Sequence, residues 1–156
     1  MKSGSIRNIN CIDLNDIIEI EKKCFNHYIA YTPKQLRYLI TKANSSCLLE
    51  SFQEITRGFI IVLYKKDSYV AGVETLNVDP MHQGKGIGKK LLKAAEEEMF
   101  GKDIQRIRLE VSTGNQTAIN LYERSGFRKI ALLKNYYRYE HHGSHNAFRL
   151  VKLLTN

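Results

Sequence analysis

The stretch from Val78 to Lys93, Val-Asp-Pro-Met-His-Gln-Gly-Lys-Gly-Ile-Gly-Lys-Lys-Leu-Leu-Lys, constrains the fold of this chain more than any other. Strand-forming residues run up to Val78 and stop at Pro80, and glycines follow at 84, 86 and 88. Ile87, Leu91, Leu92, Ala95 and Met99 then recur at helical spacing. The pattern is a strand, a tight loop and a helix. Glycines at alternate positions let N–H groups turn toward one point with no Cβ in the way, and the helix N-terminus adds partial positive charge there. Phosphate fits such a turn.

The charges along that helix run against its dipole. Lys85, Lys89, Lys90 and Lys93 crowd its start, and Glu96, Glu97 and Glu98 sit in its last turn. This order costs roughly 0.3–1 kcal/mol per misplaced charge unless an anion docks among the lysines. The other reading is a solvated helix laced by pairs such as Lys93 with Glu97. Spacing excludes two common phosphate loops: a dinucleotide fingerprint needs glycine where Lys89 stands, and a Walker loop needs Ser or Thr where Lys90 stands.

With 156 residues and 43% hydrophobic content, the chain is expected to form a single domain over 1–156 with its own core. Cys11, Cys24 and Cys47 are odd in number, lack metal-ligand spacing and each sit in or beside an apolar stretch, so they read as reduced, buried thiols. No apolar core follows Lys2, and no apolar run is long enough to span a membrane, so a cytoplasmic protein is expected. The net charge of +8 attracts polyanions. The basic residues are nevertheless spread along the chain, and no specific nucleic-acid motif is present. A polyphosphate cofactor accounts for part of the excess charge, and ribosome proximity would account for it equally.

Taken in order, the chain reads as a first strand at 6–9 and a helix capped by Asp13 and running to Phe25, followed by an aromatic loop at 26–31. A second helix opens at Thr32-Pro33. Strands at 46–52, 58–64 and 69–78 form an antiparallel meander through connections at 53–56 and 65–68. The glycine loop and its helix lead to a strand at 106–111, and this crossover implies a parallel pair. A helix from Asn115 ends at Gly126, and strands follow at 129–133 and 147–153. The loop between these last strands carries Tyr136, Tyr137, Tyr139, His141, His142 and His145.

Gln83, Gly86 and Gly88, placed after a Val-Asp-Pro strand end, resemble the acetyl-CoA pyrophosphate loop of the GNAT N-acetyltransferases. The element order is similar to that family's over nearly the whole chain. The segment 109–127, Leu-Glu-Val-Ser-Thr-Gly-Asn-Gln-Thr-Ala-Ile-Asn-Leu-Tyr-Glu-Arg-Ser-Gly-Phe, resembles the branch that acetylates protein N-termini, the ribosomal-protein alanine acetyltransferases and their archaeal relatives. Lys134-Asn-Tyr-Tyr is similar to that branch's Gly-Tyr-Tyr loop. The resemblance implies an α/β (α+β) GNAT fold: a mixed sheet of about seven strands, mostly antiparallel, with one parallel pair splayed at the cofactor site and about four flanking helices.

It also implies roles. The main chain at Leu76, Asn77 and Val78 would pair with the pantetheine arm of acetyl-CoA. Gln83, Gly84, Lys85, Gly86, Ile87, Gly88 and Lys89 would hold the pyrophosphate, and Asn115 would bond the cofactor from its helix start. A helix cap alone is the other reading of Asn115, and the two are compatible. Glu110 matches the branch's general base and Tyr122 its general acid. Without the resemblance they read as a solvated strand charge and a core aromatic. Glu74 matches a glutamate that elsewhere in the family deprotonates the amine through water, and is the second candidate base. Tyr28, Tyr31 and Tyr137 are expected to border the acceptor cleft. After the paired tyrosines this chain has Arg138-Tyr-Glu-His-His-Gly-Ser-His-Asn where archaeal and eukaryotic relatives carry acidic residues, which leaves substrate choice open. With one carboxylate and no cysteine, that loop is not expected to bind metal.

The expected activity is direct acetyl transfer from acetyl-CoA to a protein N-terminal α-amino group. An α-amine with pKa ~7.7–8.0 is appreciably neutral near pH 7, whereas a lysine at ~10.4 costs about 3–4 kcal/mol more to deprotonate. Two alternatives stand beside it: acetylation of a small amine such as a polyamine, and a non-catalytic acyl-CoA- or nucleic-acid-binding module on the same fold.

Overall fold

The computed structural model describes residues 4–65 and 67–155. Residues 1–3, Lys66 of the expected 65–68 connection, and Asn156 lie outside the described residues. The strands are β1 (Ser5–Asn8), β2 (Ser45–Phe52), β3 (Ile55–Tyr64), β4 (Val70–Val78), β5 (Arg106–Ser112), β6 (Arg128–Leu133) and β7 (Ala147–Leu153). Among the described residues they form one seven-stranded sheet in the order β1-β2-β3-β4-β5-β7-β6, in which only β4 and β5 run parallel. The helices are α1 (Leu14–Cys24), α2 (Pro33–Thr41), α3 (Ile87–Gly101) and α4 (Gln116–Arg124). This is the mixed, mostly antiparallel sheet with four helices that the sequence implied.

Alternation along the strands feeds two cores. Leu91, Leu92 and Met99 of α3 pack with Ile107, Leu109 and Leu150 on one face. Ile17 of α1 and Leu36 of α2 pack with Leu49, Phe59 and Ile61 on the other. Thr32 caps α2, accepting from the Gln35 N–H at 3.1 Å, while the Gln35 side chain accepts from the Thr32 N–H at 2.8 Å. This reciprocal box fixes where the chain turns into α2.

Three local expectations are corrected. Of the three thiols expected to be buried only Cys47 is, since Cys11 is exposed and Cys24 half-buried. Asp13 precedes α1 but makes no side-chain cap to it; its carboxylate accepts from the Asn10 N–H at 2.7 Å and from both Arg7 nitrogens at 2.8 Å. A guanidinium outcompetes the helix for those oxygens. The connection expected at 53–56 shortens to the two residues Gln53 and Glu54, both at positive φ, with Ile55 already in β3. Left-handed backbone at both turn positions matches the twist of the flanking strands.

The feature that positions the site is the seam between β4 and β5. Pairing covers only Val70–Arg106, Ala71–Ile107 and Gly72–Arg108, and beyond it the strands part. On its other side β4 stays paired with β3 as far as Val78, with a register shift that leaves Glu74 as an extra residue between Val73 and Thr75. A bulge of this kind bends the strand and re-aims its side chains.

Candidate active site

On the β4 side of the opening, the loop between β4 and α3 is shaped by main chain. Gly84 and Gly86 are left-handed, at φ 81° and 78°, and a Cβ on either would meet nothing within 4 Å. Gly86 is the N-cap of α3, and the first helical bond runs from the Lys90 N–H to its carbonyl at 3.1 Å. The N–H groups of Ile87, Gly88 and Lys89 are therefore free of helical partners and sit at the positive end of the dipole. Gly88 is different, since a Cβ there would come within 3.3 Å of Leu121 Cδ2. It lies inside the first turn of α3 and allows α4 to pack closely. Gln83 does not point into the loop; its Nε2 donates to the Val78 carbonyl at 3.2 Å, and Lys85 Nζ lies 3.3 Å from His82 Nδ1.

Between the parted strands lies a cleft of about 260 Å³. The Asp79 N–H donates to the Arg57 carbonyl of β3, so by the two-residue period the main chain of Asn77 also faces β3. The main chain of Leu76 and Val78 then faces the opening. The Asn77 side chain is buried and donates to Glu21 Oε1 at 2.7 Å. Glu21, only 1% exposed, also accepts from the Tyr31 N–H at 2.9 Å, and thereby joins α1, the α1–α2 loop and β4. Burial pushes its carboxyl above the usual range against the pull of those two hydrogen bonds.

Two more carboxylates reach the cleft, one from each side of the fork. Glu74 accepts a hydrogen bond from the Tyr31 hydroxyl. Glu110 faces Arg149 across the β5–β7 ladder, and its Oε2 takes Arg149 Nε at 2.9 Å and Arg108 Nε at 3.6 Å. Its Oε1 accepts from the Tyr136 hydroxyl at 3.4 Å. Tyr122 enters from α4 on the opposite face of the sheet; its hydroxyl has no hydrogen-bond partner among the described residues and lines the same cleft. Burial, and then the neighbouring Tyr137, drive its phenol far above the usual tyrosine range. Burial lifts Tyr31 likewise, reinforced by Glu74, and raises Tyr137 to about 12. All three therefore keep their protons at neutral pH and can act only as donors or neutral contacts.

The β6–β7 loop is tied down over the cleft. The Tyr137 N–H donates to the His145 carbonyl at 3.0 Å, and the Tyr137 ring stacks on His141 at 3.9 Å between centroids. Ser112 Oγ donates to the His141 carbonyl, and Asn115 Nδ2 lies 3.1 Å from His142 Nε2. Asn115 Oδ1 accepts from the Ala118 N–H at 3.2 Å, so Asn115 is a helix cap here. Tyr31 and Tyr137 line the cleft. Tyr28 does not; it is 65% exposed, with its ring 5.5 Å from Tyr139 on the rim. No group of three metal-ligating side chains occurs among the described residues, and no helix among them is long and apolar enough to cross a membrane.

Nothing in the sequence placed Glu21, Tyr136 or Arg149 at the cleft. Glu21 stands four residues after Ile17 on the buried stripe of α1, a position where a carboxylate needs partners. Tyr136 was visible only as a neighbour of Tyr137. Arg149 becomes meaningful only once β7 is in register with β5.

Open left-handed glycines, unpartnered N–H groups at a helix start and a strand edge left open beyond its first rungs suit a diphosphate on an extended arm. Residues 14–127 match the Acetyltransferase (GNAT) family. The chain belongs to that family of N-acetyltransferases, which draw acetyl groups from acetyl-CoA. It is similar to the N-alpha-acetyltransferase RimI of Mycobacterium tuberculosis, with 41% identity over 66 residues, 42% of this chain and 40% of that protein. The [Ribosomal protein bS18]-alanine N-acetyltransferase of Haemophilus ducreyi is 42% identical over 62 residues, 40% of this chain and 43% of that one. The matched segment thus spans less than half the length of either relative. Over nearly full length the structure resembles Ard1 from Thermoplasma volcanium, with a TM-score of 0.87, 25% identity, and coverage of 99% of this chain and 100% of the other.

Proposed function

We propose that this protein transfers the acetyl group of acetyl-CoA directly to the α-amino group of a protein N-terminus. The observation that carries the reading is the convergence on one cleft of two carboxylates, Glu74 and Glu110, with the unpartnered hydroxyl of Tyr122. The relatives named for N-terminal acetylation support it. Bound acetyl-CoA would supply an acetyl group activated as a thioester. Gly84, Gly86 and the first N–H groups of α3 would hold its pyrophosphate, and the Leu76 and Val78 main chain its extended arm. Lys85 and Lys89 would add positive charge there, and Gln83 and Asn115 would border the site.

An incoming ammonium is drawn to the carboxylates and must lose one proton before it can attack. Glu110 takes that proton at Oε1, the oxygen not held by a guanidinium, and Glu74 is the second candidate. Tyr122, kept protonated by its burial, would give its proton to the departing sulfur as the C–S bond breaks, and the second proton that the nitrogen sheds on becoming an amide would restore it. Tyr31 and Tyr137 narrow the entrance around the first residue of the acceptor, and Tyr28 stands further out on the rim.

The test is acetyl transfer to a library of peptides with free α-amines, set against spermidine and against lysine peptides with blocked N-termini, read by mass spectrometry. Modification confined to the α-amine is expected. Modification of spermidine alone would replace this reading with that of a polyamine enzyme, and cofactor binding without transfer to any amine would replace it with a binding module.

A further inference from the structure

The side of the sheet that carries Glu110 is only half covered. Helices α1 and α2 pack on β2, β3 and β4, while among the described residues no helix packs to a comparable extent on the same face of β5, β7 and β6. Alternation and register put Arg106, Arg108 and Glu110 of β5 on this face beside Leu153, Val151 and Arg149 of β7, with Arg128 of β6 next to Val151. The result is a shallow groove with a floor of Val70, Ile130, Val151 and Leu153; Ile130 and Leu153 are each 58% exposed. Among the described residues its lining holds four arginines and a lysine, and no carboxylate. Arg108 and Arg149 turn toward Glu110 at the cleft, whereas Arg106 and Arg128 make no ion pair among the described residues. The groove and the acceptor cleft thus adjoin where Arg108 and Arg149 of the one meet Glu110 of the other.

We propose that this groove receives the acceptor polypeptide beyond its first residues, and that it selects acceptors carrying acidic side chains about three to six residues from the N-terminus. The inference rests on the reading of the cleft as an N-terminal acetyltransferase site. Arg106 lies four residues from Glu110 along β5, ~13 Å at ~3.3 Å per residue, which an extended acceptor with its amine at Glu110 covers in about four residues. Unpaired guanidiniums around an aliphatic floor suit a polypeptide with carboxylates beside apolar side chains. Nucleic acid suits it less, because no aromatic ring among the described residues lines the groove for bases to stack on. A symmetric second copy would set these arginines against one another.

The experiment compares kcat/KM for peptides that share the first two residues and carry acidic, neutral or basic residues at positions three to six. At low ionic strength the acidic series is expected to exceed the neutral one by about three- to tenfold and the basic one by more, with the advantage collapsing near ~0.5 M salt. Arg106→Gln combined with Arg128→Gln should bring the acidic series down to the neutral level while acetyl-CoA affinity is unchanged. The charge-matched control, Lys22→Gln with Lys34→Gln, should keep the preference. Equal rates for acidic and neutral peptides, or a preference that survives the arginine substitutions, would overturn the inference alone. A single-stranded RNA oligonucleotide that blocks the neutral series while acidic peptides gain nothing would also overturn it and assign the face to nucleic acid. Transfer to no peptide of any series would overturn the transferase reading itself and this inference with it.

Discussion

On the β4 side of the fork the proposed anion site is made of main chain: two left-handed glycines, the first N–H groups of α3 and a strand edge left open beyond its first rungs. On the β5 side the proposed chemistry is all side chain: Glu110 fixed by Arg149 and Arg108, Tyr136 above it, and Tyr122 from α4. The first kind of site depends on conformation, which few residues other than glycine can supply at positive φ. The second depends on which side chains meet across strands distant in the chain. A substitution on one side should therefore change cofactor affinity, and on the other the rate or the acceptor.

The sharpest test of that division is the removal of single functional groups on the side-chain side. Tyr122→Phe is expected to lower kcat by about 10²–10⁴-fold, with acetyl-CoA affinity retained because the ring still packs against Phe127. Glu110→Gln should cost kcat on a similar scale. Its loss should shrink as pH rises toward the ~7.7–8.0 at which an α-amine deprotonates unaided. Wild-type kcat for Glu110→Gln at pH 7 alongside a loss for Glu74→Gln would move the base to Glu74, and activity kept by both would leave deprotonation to water.

Next in size is the main-chain side. Gly86→Val should weaken acetyl-CoA binding at least about tenfold, ~1.4 kcal/mol, in a calorimetric titration. Gly88→Val should act chiefly on stability, by about 1–3 kcal/mol, since its side chain runs into Leu121. Adding Leu121→Ala should recover part of that loss, but no part of the Gly86 defect. If the two glycine variants behave alike, the distinction between a conformational glycine and a packing glycine is wrong.

Tyr137→Ala should raise the peptide KM severalfold and leave acetyl-CoA affinity unchanged; equal effects on both substrates would show that the loop serves both sides. The smallest effect concerns Glu21, which binds Asn77 of β4 and the Tyr31 main chain together. Burial raises its folded pKa, so its contribution to stability is full below the unfolded value of ~4.3 and is lost as pH rises through the folded one. Denaturant titrations from pH 4 to 7 should therefore show Glu21→Gln gaining on the wild type as pH rises. A difference that stays constant with pH would mean that the carboxylate does not titrate in this range.

The same division decides what the sequence made readable. The glycine loop, the Thr32-Pro33 start of α2 and the span of β7 are local, and spacing alone revealed them. Gln53 and Glu54 form a two-residue hairpin turn without glycine or asparagine, so nothing in their chemistry marked it. Glu110 could be read as a candidate base from its motif. Its ion pair could not, because Arg149 is 39 residues away in sequence and meets it only through the β5–β7 register. Cap and ion-pair chemistry competed for Asp13, and sequence alone does not tell which wins.

The three rungs between β4 and β5 also bear on how long the folded chain survives. A strand edge left open for most of its length is a place where local opening costs little. A ligand that lies along it and binds only the folded form shifts the balance by mass action, by about 2.7 kcal/mol at a hundredfold excess over its Kd. Melting temperature and resistance to proteolysis should then rise with the concentration of acetyl-CoA, making the lifetime of this protein a readout of its donor supply.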